Sequence, residues 1–437
     1  MNKLIIALLM ISVSPVAVSN VYAKTEISDS QDAKIEKSVI TLDEAIKKAV
    51  TASPVSRIET SLKEMSKGSR QQAGLIPNPE LSLEAENVAG KGNYKGTDAL
   101  ETTIGVSQLI EVGGKRSSRI KIANEELTLA GYEAESRKLG LVYDVTTAYI
   151  EAVAAEELVI LAEEQKKLAQ GTFDTVAKRV DAAADPVFQK SKASVALSAA
   201  KIAVKQAQQQ EKISKKKLVS FWNGRALEIE LDNSFFRNLE APQDYQTIIS
   251  ALKNSPDYQR WNALHAQSKA VLDLEKANSV PDPSINVGVR DFRETGDQAF
   301  LVGVSIPFPV FNRNQGNISK AGHGIAKVDA ERQKAWIDLE TSLESLTEEL
   351  EGSFSEAQII TENTLPAAQK AFSEARRGHS AGKFAYLEVL DAQRTLSDVR
   401  EEYINALKKY HITRAEINRL SGSNTTLTTT SEGNSNE

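Results

Sequence analysis

The chain has no cysteine among its 437 residues, which excludes disulfides, thiolate metal sites and a cysteine nucleophile. Aromatic residues are scarce at 6%, while Ala, Glu, Lys, Leu and Gln dominate most of the length. That is the composition of long helices rather than of compact cores. An excess of one charge is lacking too: the net charge is −6 and Lys and Arg are scattered, which offers nothing to nucleic acid. Enzyme signatures are missing. The four histidines, His265, His323, His379 and His411, lie far apart, none belongs to a zinc-protease motif, and no Walker-type phosphate loop occurs. The sequence therefore calls for no catalytic residue, no resident metal and no cofactor. Gly113-Gly114-Lys115-Arg116 and Gly322-His323-Gly324 look like ligand loops, but they are expected at strand-to-helix junctions. Glycine would ease the bend there and the cations would face lipid headgroups.

Long apolar runs are also absent. The N-terminus has Lys3 ahead of a short apolar stretch from Leu4 to Met10, and Val21-Tyr22-Ala23 fits a cleavage site before Lys24. Beyond this expected signal peptide no run of 18 apolar residues remains, so no transmembrane helix is expected. An exported chain of this kind can enter a membrane only as a closed β-barrel.

What is present is a duplication. Trp222-Asn223-Gly224 recurs as Leu420-Ser421-Gly422, 198 residues later, and the same offset relates Gly105 and Ser107 to Gly303 and Ser305. Pro77-Asn78-Pro79 recurs as Pro281-Asp282-Pro283 at an offset of 204, which makes one loop of the second copy six residues shorter. The expected organisation is a signal peptide at 1–23, a leader at 24–40 and a first repeat at 41–224. An inter-repeat connection at 225–243, a second repeat at 244–422 and a disordered polar tail at 423–437 complete it.

Each repeat reads helix, two strands, long helix, long helix. The first helix is expected from Thr41 to about Leu75, capped by Thr41 with Asp43 and Glu44 in its first turn and stopped by Pro77 and Pro79. Apolar and polar residues alternate through Leu81–Glu86 and, in the second repeat, through Ile285–Arg290 and Phe300–Ile306, with a further strand near Leu100–Leu109. Strands of about 9–11 residues suit a membrane barrel with a polar lumen. On alternation alone, a half-buried hairpin of a soluble protein fits as well.

The helices repeat every seven residues. Ile120, Leu127, Ala134, Leu141, Ala148, Ala155, Ala162, Ala169 and Val176 form one stripe, and Val145, Ala152, Val159, Phe173 and Val180 a second. A strict period of seven imposes a left-handed supercoil. Asp181–Pro186 makes a turn and a return helix runs to about Trp222. The second repeat has Leu339, Leu346, Ile360 and Ala367 outbound, a turn at Ser380–Lys383, and Val389, Leu396, Tyr403, Tyr410 and Ile417 returning. A non-pore coiled-coil scaffold would explain the heptads but not the strands set between them. Four strands alone leave two edges unpaired in lipid, and closure by copies resolves this.

The strings "LIPNPELSLEAEN", "VSQLIEVGGKR", "IPFPVFNRNQG" and "AGKFAYLEVLDAQRTL", together with the duplicated plan, resemble the TolC-like outer-membrane factors of tripartite export systems. The first two strings are most similar to the branch serving heavy-metal cation efflux (CzcC-type). The resemblance implies a mainly α fold with a small β part. Its trimeric α-helical barrel would cross the periplasm of a Gram-negative cell and continue into a 12-stranded outer-membrane β-barrel, four strands per protomer. The implied activity is passive conduction. The implied partners are two further copies, a periplasmic adaptor, an inner-membrane pump of the resistance-nodulation-division type, and outer-membrane lipid. The expected cargo is heavy-metal cations such as cobalt, zinc and cadmium. A multidrug or type I secretion conduit of the same fold is the alternative.

In that family a glycine, five residues and then an acidic residue followed by Val-Leu-Asp mark the closed periplasmic aperture. Here the pattern starts at Gly382, so Glu388 and Asp391 match it. Their spacing of three places both on one helical face, opposite Val389 and Leu396. Rings of such carboxylates would favour cations. The turns, with Ala182, Ala183, Ala184 and Asp185 in one and Ser380, Ala381, Gly382 and Lys383 in the other, are the expected adaptor-docking surface. Phe384 replaces a basic residue of some relatives. His379 sits beside the second turn, where it could give pH sensitivity; an exposed loop histidine with no role is the reading set against it.

Overall fold

The computed structural model describes residues 39–224 and 229–423. The expected signal peptide, most of the leader and the tail from residue 424 lie outside them. The first half runs β1 (Val39–Ile40), α1 (Leu42–Ala52), α2 (Pro54–Ala73), β2 (Glu80–Glu86), β3 (Glu101–Leu109), α3 (Lys115–Asp181) and α4 (Val187–Ser220). β4 (Glu230–Leu231) lies in the connection and pairs in parallel with β1. The second half runs α5 (Tyr245–Leu252), α6 (Pro256–Asn278), β5 (Ser284–Phe292), β6 (Asp297–Ser305) and α7 (Gln315–Ile359). A π-helical turn (Ile360–Thr364), α8 (Leu365–Ser380) and α9 (Tyr386–Ser421) follow. Among the described residues no helix is long and apolar enough to cross a membrane.

Thr41 caps α1 through a reciprocal box with Glu44, its backbone N–H donating at 3.2 Å and its hydroxyl accepting at 3.3 Å. The single helix expected from Thr41 to Leu75 is two. Ser53 takes an extended ψ of 138° because the ring of Pro54 forbids the helical region to the residue before it. Ser255 does the same ahead of Pro256, with ψ 148°.

α3 has 67 residues and is therefore about 100 Å long. Its expected stripe is buried from Leu141 through Ala148, Ala155, Ala162 and Ala169 to Val176. Around Ala148–Ala155 it is enclosed on nearly every side. There α1, α4, α9 and the β1–β4 pair wrap it into a core that includes Val145, Tyr149, Ile150, Leu218 and Phe236. The Tyr149 hydroxyl, 2.7 Å from the carbonyl of Ile40 and 2.9 Å from that of Asp232, pins both halves of this girdle.

The outbound helix of the second half departs from the expected stripe. Leu343, Leu350, Ala357 and Ile360 are buried, but Ala367 is exposed and Ala368 and Ala375 take the inward positions. Pro366 lacks the N–H that the Glu362 carbonyl would need, and its ring would collide with that carbonyl. The π turn at Ile360–Thr364 absorbs this by inserting one extra residue, which advances the stripe by one.

The four long strands form one antiparallel sheet in the order β2-β3-β5-β6. Its register sorts the side chains by face. Leu81, Val106, Val287 and Val302 lie in one row, and Leu83, Ile104, Val289 and Phe300 in the next, all apolar. The opposite face carries Glu80, Ser107, Asn286 and Gly303 in one row, then Ser82, Gly105, Gly288 and Leu301 in another. β2 has seven residues, fewer than expected, because Asn87 turns into the left-handed region at φ 60°. Phe300 and Val302 are 88% and 80% exposed, so the apolar face is bare. A face of this area meets water at a cost of about 25 cal/mol per Å².

The junction between sheet and helices corrects two expectations. Lys115 does not face outward: it is 7% exposed, paired with Asp282 at 2.6 Å, and donates to the Val280 carbonyl at 2.6 Å. Arg116 donates to the Gly74 carbonyl, and Arg119 pairs with Glu111. These cations answer helix-end carbonyls and nearby carboxylates. Gly322-His323-Gly324 lies inside α7 rather than at a junction.

Candidate functional site

The two turns at the far end of the long helices close by the same hydrogen-bond pattern. After α3, the N–H of Ala182 reaches the Lys178 carbonyl at 3.0 Å and that of Ala184 reaches Arg179 at 2.8 Å. After α8, the N–H of Ala381 reaches Arg377 at 3.0 Å and that of Lys383 reaches Gly378 at 2.8 Å. Such closure needs one left-handed residue. Gly382 supplies it at φ 72°, and Ala183 supplies it at φ 55° without glycine's freedom. Ala182, Ala183, Ala184, Ser380, Ala381, Gly382 and Lys383 are all exposed. Asp185 differs: Arg179 grips its carboxylate twice, at 2.7 and 3.1 Å, leaving the side chain 11% exposed. That hydrogen-bonded guanidinium holds the Asp185 carboxyl below its usual range.

Tyr386, 4% exposed at the start of α9, packs against Val176 of α3 and Ala193 of α4 and so ties the two turns together. His379 is buried in the last turn of α8, not exposed in a loop. Its Nδ1 lies 3.1 Å from the Phe384 carbonyl, the orientation of a donor, and its ring centre lies 6.0 Å from that of Tyr386. The Phe384 ring folds back over Gly378, where a Cβ would overlap it. These contacts were not read from the sequence, although a glycine inside a helix six residues before an aromatic was a usable signal.

Glu388 and Asp391 stand on the first two turns of α9, both exposed, while Val389 and Leu396 are 2% and 5% exposed against Phe372 and Ala375 of α8. Neither carboxylate has an ion-pair partner among the described residues. A groove of about 760 Å³ rises from the turns between α3, α8 and α9, past Lys167, Thr175, Phe372, Arg376 and Arg400. Among the described residues no group of three acidic or histidine side chains is placed to hold a metal ion. His265 meets only Asp329, at 2.8 Å, and His411 is enclosed by the mid-helix core.

Comparison with known proteins adds a family. The sequence pattern of the family described as outer membrane efflux protein matches residues 63–224 and 247–423. The cobalt-zinc-cadmium resistance protein CzcC of Cupriavidus metallidurans is 30% identical over 362 residues, which cover 81% of this chain and 83% of that one. The nickel-cobalt-cadmium resistance protein NccC of Alcaligenes xylosoxydans xylosoxydans is 26% identical over 262 residues, covering 59% of this chain and 58% of that one. The outer membrane protein VceC from Vibrio cholerae superposes with a TM-score of 0.68 at 17% identity, covering 87% and 96% of the two chains. At that identity it speaks to the fold alone.

Proposed function

The chain belongs to the outer membrane efflux protein family, and on that premise we propose that it is the passive outlet of a tripartite pump expelling heavy-metal cations such as cobalt, zinc and cadmium. The observation that carries the choice of cargo is the 30% identity to CzcC over 83% of that protein's length. The fold supports conduction rather than binding. A sheet with one apolar and one polar face suits a membrane, and it continues into helices up to about 100 Å long that reach far beyond a bilayer's thickness.

Three copies close the wall, and the energy comes from an inner-membrane pump of the resistance-nodulation-division type. A periplasmic adaptor docks on the two exposed turns and the groove above them, where Ala182–Ala184 and Ser380–Gly382 admit close backbone approach. Glu388 and Asp391 face the axis at the aperture, where rings of carboxylates attract cations and repel anions. No step of this cycle is catalytic.

The test is growth of a deletion strain on cobalt, zinc, cadmium, nickel and copper salts beside a panel of dyes and detergents. Selective metal sensitivity, reversed by the intact gene, is the expected result. Sensitivity to dyes and detergents alone would keep the conduit and remove the metal cargo.

A further inference from the structure

A cavity of about 240 Å³ opens between α1, α3 and α9, beside the mid-helix core. Leu42, Ile46 and Val50 of α1 and Leu139 and Val142 of α3 form its apolar wall. Left to water, such a wall costs about 25 cal/mol per Å². Cations stand around it, Lys138 on α3 with Arg414 and Arg419 on α9, and none of the described residues that line it is acidic. Arg414 is paired with Glu240, and Arg419 with Asp257 at 3.6 Å. Lys138 is exposed; it acts on Glu59 of α2 from a distance but forms no ion pair among the described residues. The cavity therefore suits an occupant with one aliphatic group and a negative charge.

The chain itself leads into this cavity. Gly422 ends α9 in the left-handed region at φ 73°, and Ser423, the last described residue, is part of the cavity lining. Residues 424–437 follow. They hold one aliphatic residue, Leu427, two acids, Glu432 and Glu437, and no Lys, Arg or His. We propose that this segment folds back onto its own chain, with Leu427 against the apolar wall and Glu432 beside Lys138. Leu427 is four residues beyond Ser423 and Glu432 nine, reaches of up to about 13 Å and about 30 Å.

Charge selects this segment over the leader at 24–38, whose Lys24, Lys34 and Lys37 would bring like charge to a cationic rim. Tethering adds to the choice. A short flexible link sets the local concentration of Leu427 near the millimolar range, so contacts too weak to hold a free peptide can hold this one. In place, the segment is a strap over the joint where α1 meets the two long helices, and it covers their remaining apolar groups. The inference needs one chain only and stands apart from the outlet reading.

The chain's freedom from cysteine makes the test clean. Leu427→Cys is combined with Ala415→Cys on α9 or with Val50→Cys on α1, both in the cavity lining, and the full chain in detergent is treated with a short bis-maleimide. Either pair should link within one chain, keeping monomer mass on denaturing gels with both thiols consumed. Leu427→Cys with Ser194→Cys, exposed on α4 and outside the cavity, should not link. Adding Lys138→Glu to a linking pair should slow the reaction severalfold at low salt and little at 1 M, where surface charges are screened. Covalent multimers would show that the segment docks on another copy and would overturn the proposal. No linkage by either cavity pair in folded protein, or equal linkage by the Ser194→Cys pair, would overturn it as well.

Discussion

Lys115 Nζ and Asp282 Oδ2 stand 2.6 Å apart, joining the start of a long helix in the first half to the loop ahead of β5 in the second. Their side chains are 9% and 16% exposed, so the pair is held largely out of water. Asp282 also accepts from the backbone N–H of Val112 at 2.8 Å, which fixes the exit of β3. The corner between sheet and helices is set by this contact. Lys115→Met should strip the largely buried Asp282 carboxylate of its cation, leave it the Val112 N–H, and cost about 1–3 kcal/mol. Lys115→Met with Asp282→Leu should recover a large part of that loss, because it removes both charges. Thermal unfolding in detergent compares the variants; equal losses in single and double variants would place the defect in packing rather than charge.

Much of this molecule was legible because its signals are local and periodic. The stripe through Leu141, Ala148 and Val176 needs only the seven-residue repeat, and the strands need only alternation. The exposed placement of Glu388 and Asp391 follows from their spacing around Val389. What escaped depends on backbone detail or on contacts across the chain. The shift from Ala367 to Ala368 arises because Pro366 forces a π turn, and a linear count of sevens cannot register an inserted residue. Ser53-Pro54 carries the signal for the break at Ser53, but the apolar spacing on either side of it reads as one helix. Lys115 reads as a surface cation because its partner Asp282 is distant in sequence. His379 reads as a loop residue from the sequence around Ser380–Lys383, while its burial comes from Phe384 and Tyr386 beyond the turn.

Ala183 and Gly382 occupy matching left-handed positions, and only one of them is glycine. Left-handed geometry costs a residue with a Cβ about 1 kcal/mol. Ala183→Gly should therefore be neutral to slightly stabilising, by roughly 0.5 kcal/mol after its added chain entropy. Gly382→Leu should lose about 1 kcal/mol locally. A Cβ there meets nothing within 4 Å in the chain, so the protomer accommodates it. The expected outcome is intact trimer on semi-native gels with loss of metal resistance, since on the proposed reading the added side chain would occupy the surface an adaptor docks on. Loss of trimer would make the glycine structural instead.

His411 provides a pH prediction with a definite sign. It is 3% exposed, its ring lies 5.0 Å from Tyr410 and 5.2 Å from Phe235, and its Nε2 lies 2.9 Å from the Phe236 carbonyl. Burial pushes its pKa down from 6.5 to about 4, with Arg414 adding to the shift and the Phe236 carbonyl and Glu240 opposing it. The unfolded chain then binds a proton that the folded chain refuses. Stability from this group is complete above pH 6.5 and is lost as pH falls towards 4, by about 3 kcal/mol at most. Urea unfolding between pH 7.5 and 4 should show this slope. His411→Gln, which keeps a donor for the Phe236 carbonyl without titrating, should flatten part of it. Parallel curves would assign the slope to other groups.

Ionic strength separates charge from width at the proposed aperture. If Glu388 and Asp391 from three copies face one axis, six carboxylates act on the same ions there. Glu388→Ala with Asp391→Ala should then raise single-channel conductance by widening the passage and lower the preference for cations. The change in selectivity should be large at 0.1 M salt, where the screening length is about 10 Å, and small at 1 M, where it is about 3 Å. The change in conductance caused by width should survive at 1 M. A selectivity change that persists at 1 M would point to altered helix packing rather than charge. No change in either quantity in planar bilayers would remove these two residues from the aperture. Val389 and Leu396, packed on the opposite face of α9 with Phe372 and Ala375, should keep the helix in place through both substitutions.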